Sequence, residues 1–202
     1  MNLLKKLFSA TPEGEPNKTT DKTNTERNIP KMASLDETFV QNFIYKGGKF
    51  LYCTNYEEVN KNLLNILQEN NWEKVVCFDS DLKKVLTIVE RDYTEQIIKQ
   101  YPFFTYCEHL LADEGSILFS SEQVHFHKIV DLPDYFIVLA RTSQMVRDKS
   151  EGLMGIKQNY LKNFPTNISS IKSYKPEKVD DDFLSFGNNN AKKLYLLLLE
   201  DL

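Results

Sequence analysis

Residues able to do chemistry concentrate in one stretch, Cys107-Glu108-His109-Leu110-Leu111-Ala112-Asp113-Glu114-Gly115-Ser116-Ile117-Leu118. Three carboxylates and an imidazole stand just ahead of an apolar run. Such groups serve as general acids and bases, or as acyl-accepting nucleophiles. Glu108 and Asp113 are the catalytic candidates. Glu114, Gly115, Ser116 and Lys172 are candidates for holding a ligand. Gly115 permits a tight turn or a close backbone approach. A carboxylate in such a turn, at the edge of a parallel sheet, stands where α/β proteins bind ligands. The plainer alternative is an acidic turn that joins two elements. His109 beside Glu108 reads as an acid–base pair, or as one of two strand neighbours that point oppositely. His125-x-His127 puts both rings on one face of an extended segment. These two make half of a metal site, with Glu122 as a third ligand, or they are two solvent-facing histidines.

Glycine-rich phosphate cradles of the G-x-G-x-x-G and P-loop types are absent, as is the G-x-S-x-G elbow of serine hydrolases. The net charge is −4, and lysines are interleaved with acidic residues. Nucleic-acid affinity rests on neutralising phosphates, so no nucleic-acid partner is expected. The aromatic run Tyr101, Phe103, Phe104 and Tyr106 has no basic flank and reads as core. Cys53, Cys77 and Cys107 lie within or after apolar runs, too far apart to hold an iron–sulfur cluster unaided. Buried strand thiols are expected, with no cofactor in this chain. An odd cysteine count favours a reducing compartment, hence a cytoplasmic location. No apolar run approaches a membrane span.

The elements that must position these groups follow from patterning. Residues 1–33 form a short amphipathic start, Met1 to Phe8, and a polar linker with three prolines; the linker reads as disordered. The domain spans 34–202. Ser34-x-x-Glu37 and Thr54-x-x-Glu57 read as capping boxes. The first opens a helix ended by Gly47-Gly48. The second opens a helix whose apolar face holds Tyr56, Val59, Leu63, Ile66 and Leu67. Strands are predicted over 49–53, 74–78, 103–107, 115–120, 135–140 and 194–199, with an extended 168–173. A helix follows Asp79 or Ser80, another is possible near 94–100, and another follows Ser150. The charged run from Lys175 to Asp182 reads as solvated surface. Alternation of short apolar strands with helices predicts an α/β fold, an open, mostly parallel sheet with helices on both faces.

The order and spacing of several segments resemble the LUD domain family, the lactate-utilisation C-type proteins, in a short-chain branch. Ala112-Asp113-Glu114-Gly115-Ser116-Ile117 is similar to the family's Ala-Glu-Thr-Gly-Ser/Thr-Ile turn and strand, with Asp113 where the family has glutamate. Leu132-Pro133-x-x-Phe136-Ile137-Val138-Leu139-Ala140 resembles its Leu-Pro and strand, and Gly187 with Leu194 to Leu199 resembles its ending. Where many members carry Ile-x-Gly-Pro-Ser-Arg, this chain has Ile168 to Ser173, and Lys172 supplies the positive charge. The resemblance implies a fold like the NagB/RpiA/CoA-transferase group. It implies an accessory role in oxidising lactate to pyruvate, beside iron–sulfur oxidoreductase subunits that carry the clusters. Two other functions stand beside it. One is an acyl- or CoA-transferase using Asp113, with Glu108 and Lys172 nearby. The other is a small-carboxylate-binding module that forms a homo-oligomer.

Overall fold

The computed structural model describes residues 34–175 and 190–201. The expectations for the amphipathic start, the linker, Gly187 and most of the charged run from Lys175 to Asp182 lie outside the described residues.

Ser34 caps α1 (Leu35–Tyr45) through the reciprocal capping box with Glu37. Strand β1 (Lys49–Cys53) follows. Helix α2 (Tyr56–Glu69) is capped one residue later than the sequence pattern suggests. Asn55 Oδ1 accepts from the Glu58 amide, and the Glu58 carboxylate reaches back to the Thr54 amide. Two overlapping cap patterns compete at this helix start, and the asparagine register satisfies both orphan amides. Val59, Leu63, Ile66 and Leu67 form the buried face, whereas Tyr56 is exposed.

Strand β2 (Lys74–Val76) leads to α3 (Ser80–Ile88), whose N-cap is Asp79. The region near 94–100 is not a helix. Its start is strand β3 (Asp92–Thr94), an edge strand paired with β2. Then come β4 (Phe103–Thr105), β5 (His109–Leu111), β6 (Ser116–Phe119), the short α4 (Ser121–Val124) and β7 (Tyr135–Arg141). The chain continues through β8 (Met145–Val146), α5 (Lys149–Asn159), β9 (Ser169–Ile171) and β10 (Lys193–Leu199).

Six strands form one sheet in the order β1-β10-β7-β4-β2-β3, with every pairing parallel. Its central strands are buried on both faces, so they read as continuous apolar runs. Leu197, Leu199, Ile137 and Leu139 face α2 and α3. Leu194, Leu196, Leu198, Phe136 and Val138 face α1 and a second sheet.

That second sheet, ordered β8-β5-β6-β9, mixes parallel and antiparallel pairing. The expected open parallel sheet is therefore present. The face expected to carry only helices is covered by α1 together with the β5–β6 hairpin. Helix α5 packs on the hairpin's outer side. A Cβ at Gly152 would stand 3.2 Å from Leu111, and one at Gly155 would stand 2.6 Å from the His109 ring. Glycine at these positions lets the helix approach the strands closely.

Candidate functional site

The hairpin has two ends, and they place the sequence candidates differently. At the turn, Asn42 of α1 donates to the carbonyls of Ala112 (2.9 Å) and Asp113 (3.2 Å). The amides of Ala112 and Asp113 donate to Val146 and Arg147 carbonyls at 2.9 and 3.0 Å. The buried Tyr174 hydroxyl donates to the Gly115 carbonyl at 2.9 Å. Gly115 has φ +57°, and a Cβ there would lie 2.5 Å from α1 backbone atoms. Glu114 pairs with Lys172 at 2.9 Å, and the Ser116 hydroxyl donates to it at 3.2 Å. The Lys172 ammonium holds the Glu114 carboxyl below its usual range. The structure thus gathers Glu114, Gly115, Ser116 and Lys172 in one docked turn, while the Asp113 side chain is exposed.

Glu108 lies at the other end of the hairpin, about 15 Å from Asp113 at strand spacing. It is only 7% exposed. Its Oε1 accepts from the Ser120 hydroxyl (2.5 Å), the Gln123 amide (3.0 Å) and the Tyr160 hydroxyl (3.3 Å). Local sequence builds this cluster. Ser120 follows β6 and caps α4, and Gln123 completes that capping box. Gln144 fixes the strand entrance by donating to the carbonyls of Cys107 (2.6 Å) and Glu108 (3.2 Å).

His109 points the other way. Its Nδ1 lies 3.2 Å from the Gln144 carbonyl, and its buried Nε2 has no hydrogen-bond partner among the described residues. Because a carbonyl only accepts, Nδ1 carries the proton. No hydrogen bond joins His109 to the Glu108 carboxylate among the described residues, so the two do not form an acid–base pair.

Beside Glu108 opens a cavity of about 230 Å³, lined by Asp79, Thr105, Tyr106, Glu122, Gln123 and Tyr160. Asp79 follows β2 and Thr105 ends β4. The cavity therefore sits at the carboxyl edge of the parallel strands, where ligands bind in open α/β sheets. Arg141 ends β7 at the same edge and donates to the Tyr56 hydroxyl at 3.3 Å.

Burial pushes the phenols of Tyr106 and Tyr160 up to about 12; Asp79 adds to the first and Glu108 to the second. An unfolded tyrosine ionises near 10. The folded state thus holds these protons more tightly. Their stabilising contribution is complete below about pH 10 and is lost as pH rises through about 12. A spectrophotometric titration should show Tyr106 and Tyr160 among the late-ionising tyrosines, together with Tyr52 and Tyr174, all moving down to the ordinary range in denaturant; Tyr106→Phe and Tyr160→Phe assign the first two. Ordinary titration of Tyr106 and Tyr160 in the folded protein would contradict the placement.

His125 and His127 do not lie on a strand. His125 ends α4 with φ 53°, and both rings stack on Phe78, at 4.8 and 5.8 Å. Among the described residues no cluster of three or more His, Cys, Asp or Glu side chains is placed to hold a metal ion. The three cysteines are buried and unpaired, and burial raises the pKa of each thiol. Among the described residues no helix is long and apolar enough to cross a membrane.

Sequence reading singles out Glu108 but misses Ser120, Gln123 and Tyr160 as its partners, along with Asp79 and Thr105. Asp79 follows an apolar run, a signal that locates the carboxyl edge, whereas Thr105 lies inside the run predicted as a strand. Tyr160 carries no such signal.

No family model and no curated protein sequence matches the chain. Among solved structures, the chain is similar to a DUF162 family protein from Deinococcus radiodurans. The TM-score is 0.58 at 12% identity, over 83% of this chain and 96% of that one. At that identity the likeness establishes the fold. DUF162 is the LUD-domain family.

Proposed function

We propose that this chain is a LUD-type accessory protein of lactate utilisation, acting through iron–sulfur oxidoreductase partners, with the Glu108 cavity as its working site. The observation that carries the reading is the character of that cavity. Two carboxylates, Asp79 and Glu122, stand on its wall, and Glu108 lies behind them. Such a site favours hydrogen-bond donors and cations, and it disfavours a free lactate or pyruvate anion. A basic or hydroxylated side chain of a partner protein suits it better than the substrate does. This weighs toward a role within a complex over direct turnover.

Acyl transfer using Asp113 with Glu108 is less well supported, because the hairpin holds the two about 15 Å apart. Lys172, the third group of that reading, is engaged with Glu114.

Affinity capture of the tagged full chain from a native lysate of lactate-grown cells tests the proposal. A cluster-bearing oxidoreductase, rich in iron and recovered in near-equal amount, is the expected result. Glu108→Gln should reduce its recovery. A chain that emerges alone in good yield counts against the accessory role.

A further inference from the structure

A second cleft lies at the opposite, amino edge of the parallel sheet. It has a volume of about 250 Å³, and its walls include Lys49, Lys175, Lys193, Tyr135 and Tyr195. Lys49 opens β1 and Lys193 opens β10, which are neighbouring parallel strands. Register places Lys49 beside Tyr195 and Lys193 beside Tyr135. The two ammonium groups therefore leave the same sheet face at the same edge.

Each is held by its tyrosine. Lys49 Nζ donates to the Tyr195 hydroxyl at 2.7 Å and stands 4.3 Å from its ring centroid. Lys193 Nζ donates to the Tyr135 hydroxyl at 2.9 Å and stands 4.7 Å from that ring. Trp72 backs both rings edge-on, 4.9 Å from Tyr135 and 6.3 Å from Tyr195. Lys175 joins them, 5.7 Å from the exposed ring of Tyr45.

None of these three lysines is paired with a carboxylate among the described residues, although acidic residues outnumber basic ones in the chain, 29 to 25. The nearby Asp134 carboxylate is directed to Lys192, at 3.6 Å. The Tyr135 hydroxyl accepts from Lys193, and its own proton has no acceptor among the described residues. Three cations and a phenol donor thus line one small cleft, two of the cations held in place before any ligand arrives. Bringing like charges together without counter-charge is unfavourable, and a multiply charged anion relieves it. Ammonium groups serve phosphate as point charges.

We propose that this cleft binds a diphosphate group, either as free pyrophosphate or as the tail of a nucleoside diphosphate. The site is independent of the Glu108 cavity, on the other edge of the sheet.

Calorimetric titration of the full chain with inorganic pyrophosphate, and separately with ADP, tests it. Saturable binding is expected, weakened by added salt. Equal affinity for the two identifies the diphosphate alone as the recognised group, while tighter ADP binding adds a contact to the nucleoside. Lys49→Gln with Lys193→Gln should weaken binding about tenfold or more, as should Lys175→Gln to a smaller degree. Lys84→Gln, remote and exposed, should leave it unchanged, and so should Glu108→Gln. Thermal melts establish that the exposed lysine variants fold. No saturable heat with either ligand, or full affinity in the folded double variant, overturns the proposal.

Discussion

Gly115→Ala should destabilise the protein by roughly 2–4 kcal/mol. Two causes act together. The residue adopts φ +57°, a left-handed conformation that costs a side-chain-bearing residue energy. The added Cβ would also meet the carbonyl carbon of Asn42 and the amide nitrogen of Phe43 at 2.5 Å. Those are backbone atoms in the last turns of α1, which cannot rotate away as a side chain would. Relief requires the hairpin turn to lift off the helix, breaking the Asn42 and Tyr174 hydrogen bonds that seat it. Gly115→Asn separates the two causes, because asparagine tolerates the left-handed region. It should be destabilising nearly to the same degree. Urea unfolding of both variants is the check, and an asparagine variant within about 0.5 kcal/mol of the parent would show that close approach is not the constraint.

Glu108 should give the largest functional effect. Glu108→Ala removes the acceptor shared by Ser120, Gln123 and Tyr160 and leaves donors unmatched in a mostly buried setting. A loss of about 2–4 kcal/mol is expected. Glu108→Gln keeps the shape and one accepting oxygen, so its stability should stay within about 1 kcal/mol of the parent. What it loses is the negative charge behind the cavity. If the cavity works by receiving a cationic or donating group, the glutamine variant should fold normally and fail in function. Asp113→Asn alters an exposed side chain at the far end of the hairpin and should be silent.

The parallel sheet is largely legible in the sequence because its strands are apolar on both faces and alternate with capped helices. Ser34 with Glu37 and Asp79 announce two of the helices by their own chemistry. The second sheet is hidden. Strand β5 is buried on both sides with a histidine in it, so it shows neither alternation nor an unbroken apolar run. His109 is accommodated only because Gly155, on a helix 46 positions later (155 − 109), lacks a side chain. The helix expected near 94–100 does not form because Thr94 is held as an edge-strand residue by β2, a tertiary pairing that local propensity cannot register.

The candidate site divides in the same way. The acidic cluster from Glu108 to Glu114 is visible as a cluster, but a hairpin sends its members to opposite ends. The groups that define the Glu108 environment come from 12, 15 and 52 residues further along the chain. Only folding brings Tyr160 there. In the linear order the amino-edge lysines read as dispersed surface charge, since nothing in it reveals that β1 and β10 are neighbours.

The most direct test is growth on lactate of a strain that lacks this chain and any paralogue, complemented with Glu108→Gln, Asp113→Asn or the unaltered sequence. Restored growth with the unaltered chain and with Asp113→Asn, but not with stably folded Glu108→Gln, is the predicted result. Normal growth of the deletion strain would contradict the lactate role, and full rescue by Glu108→Gln would contradict the assignment of the cavity as the working site.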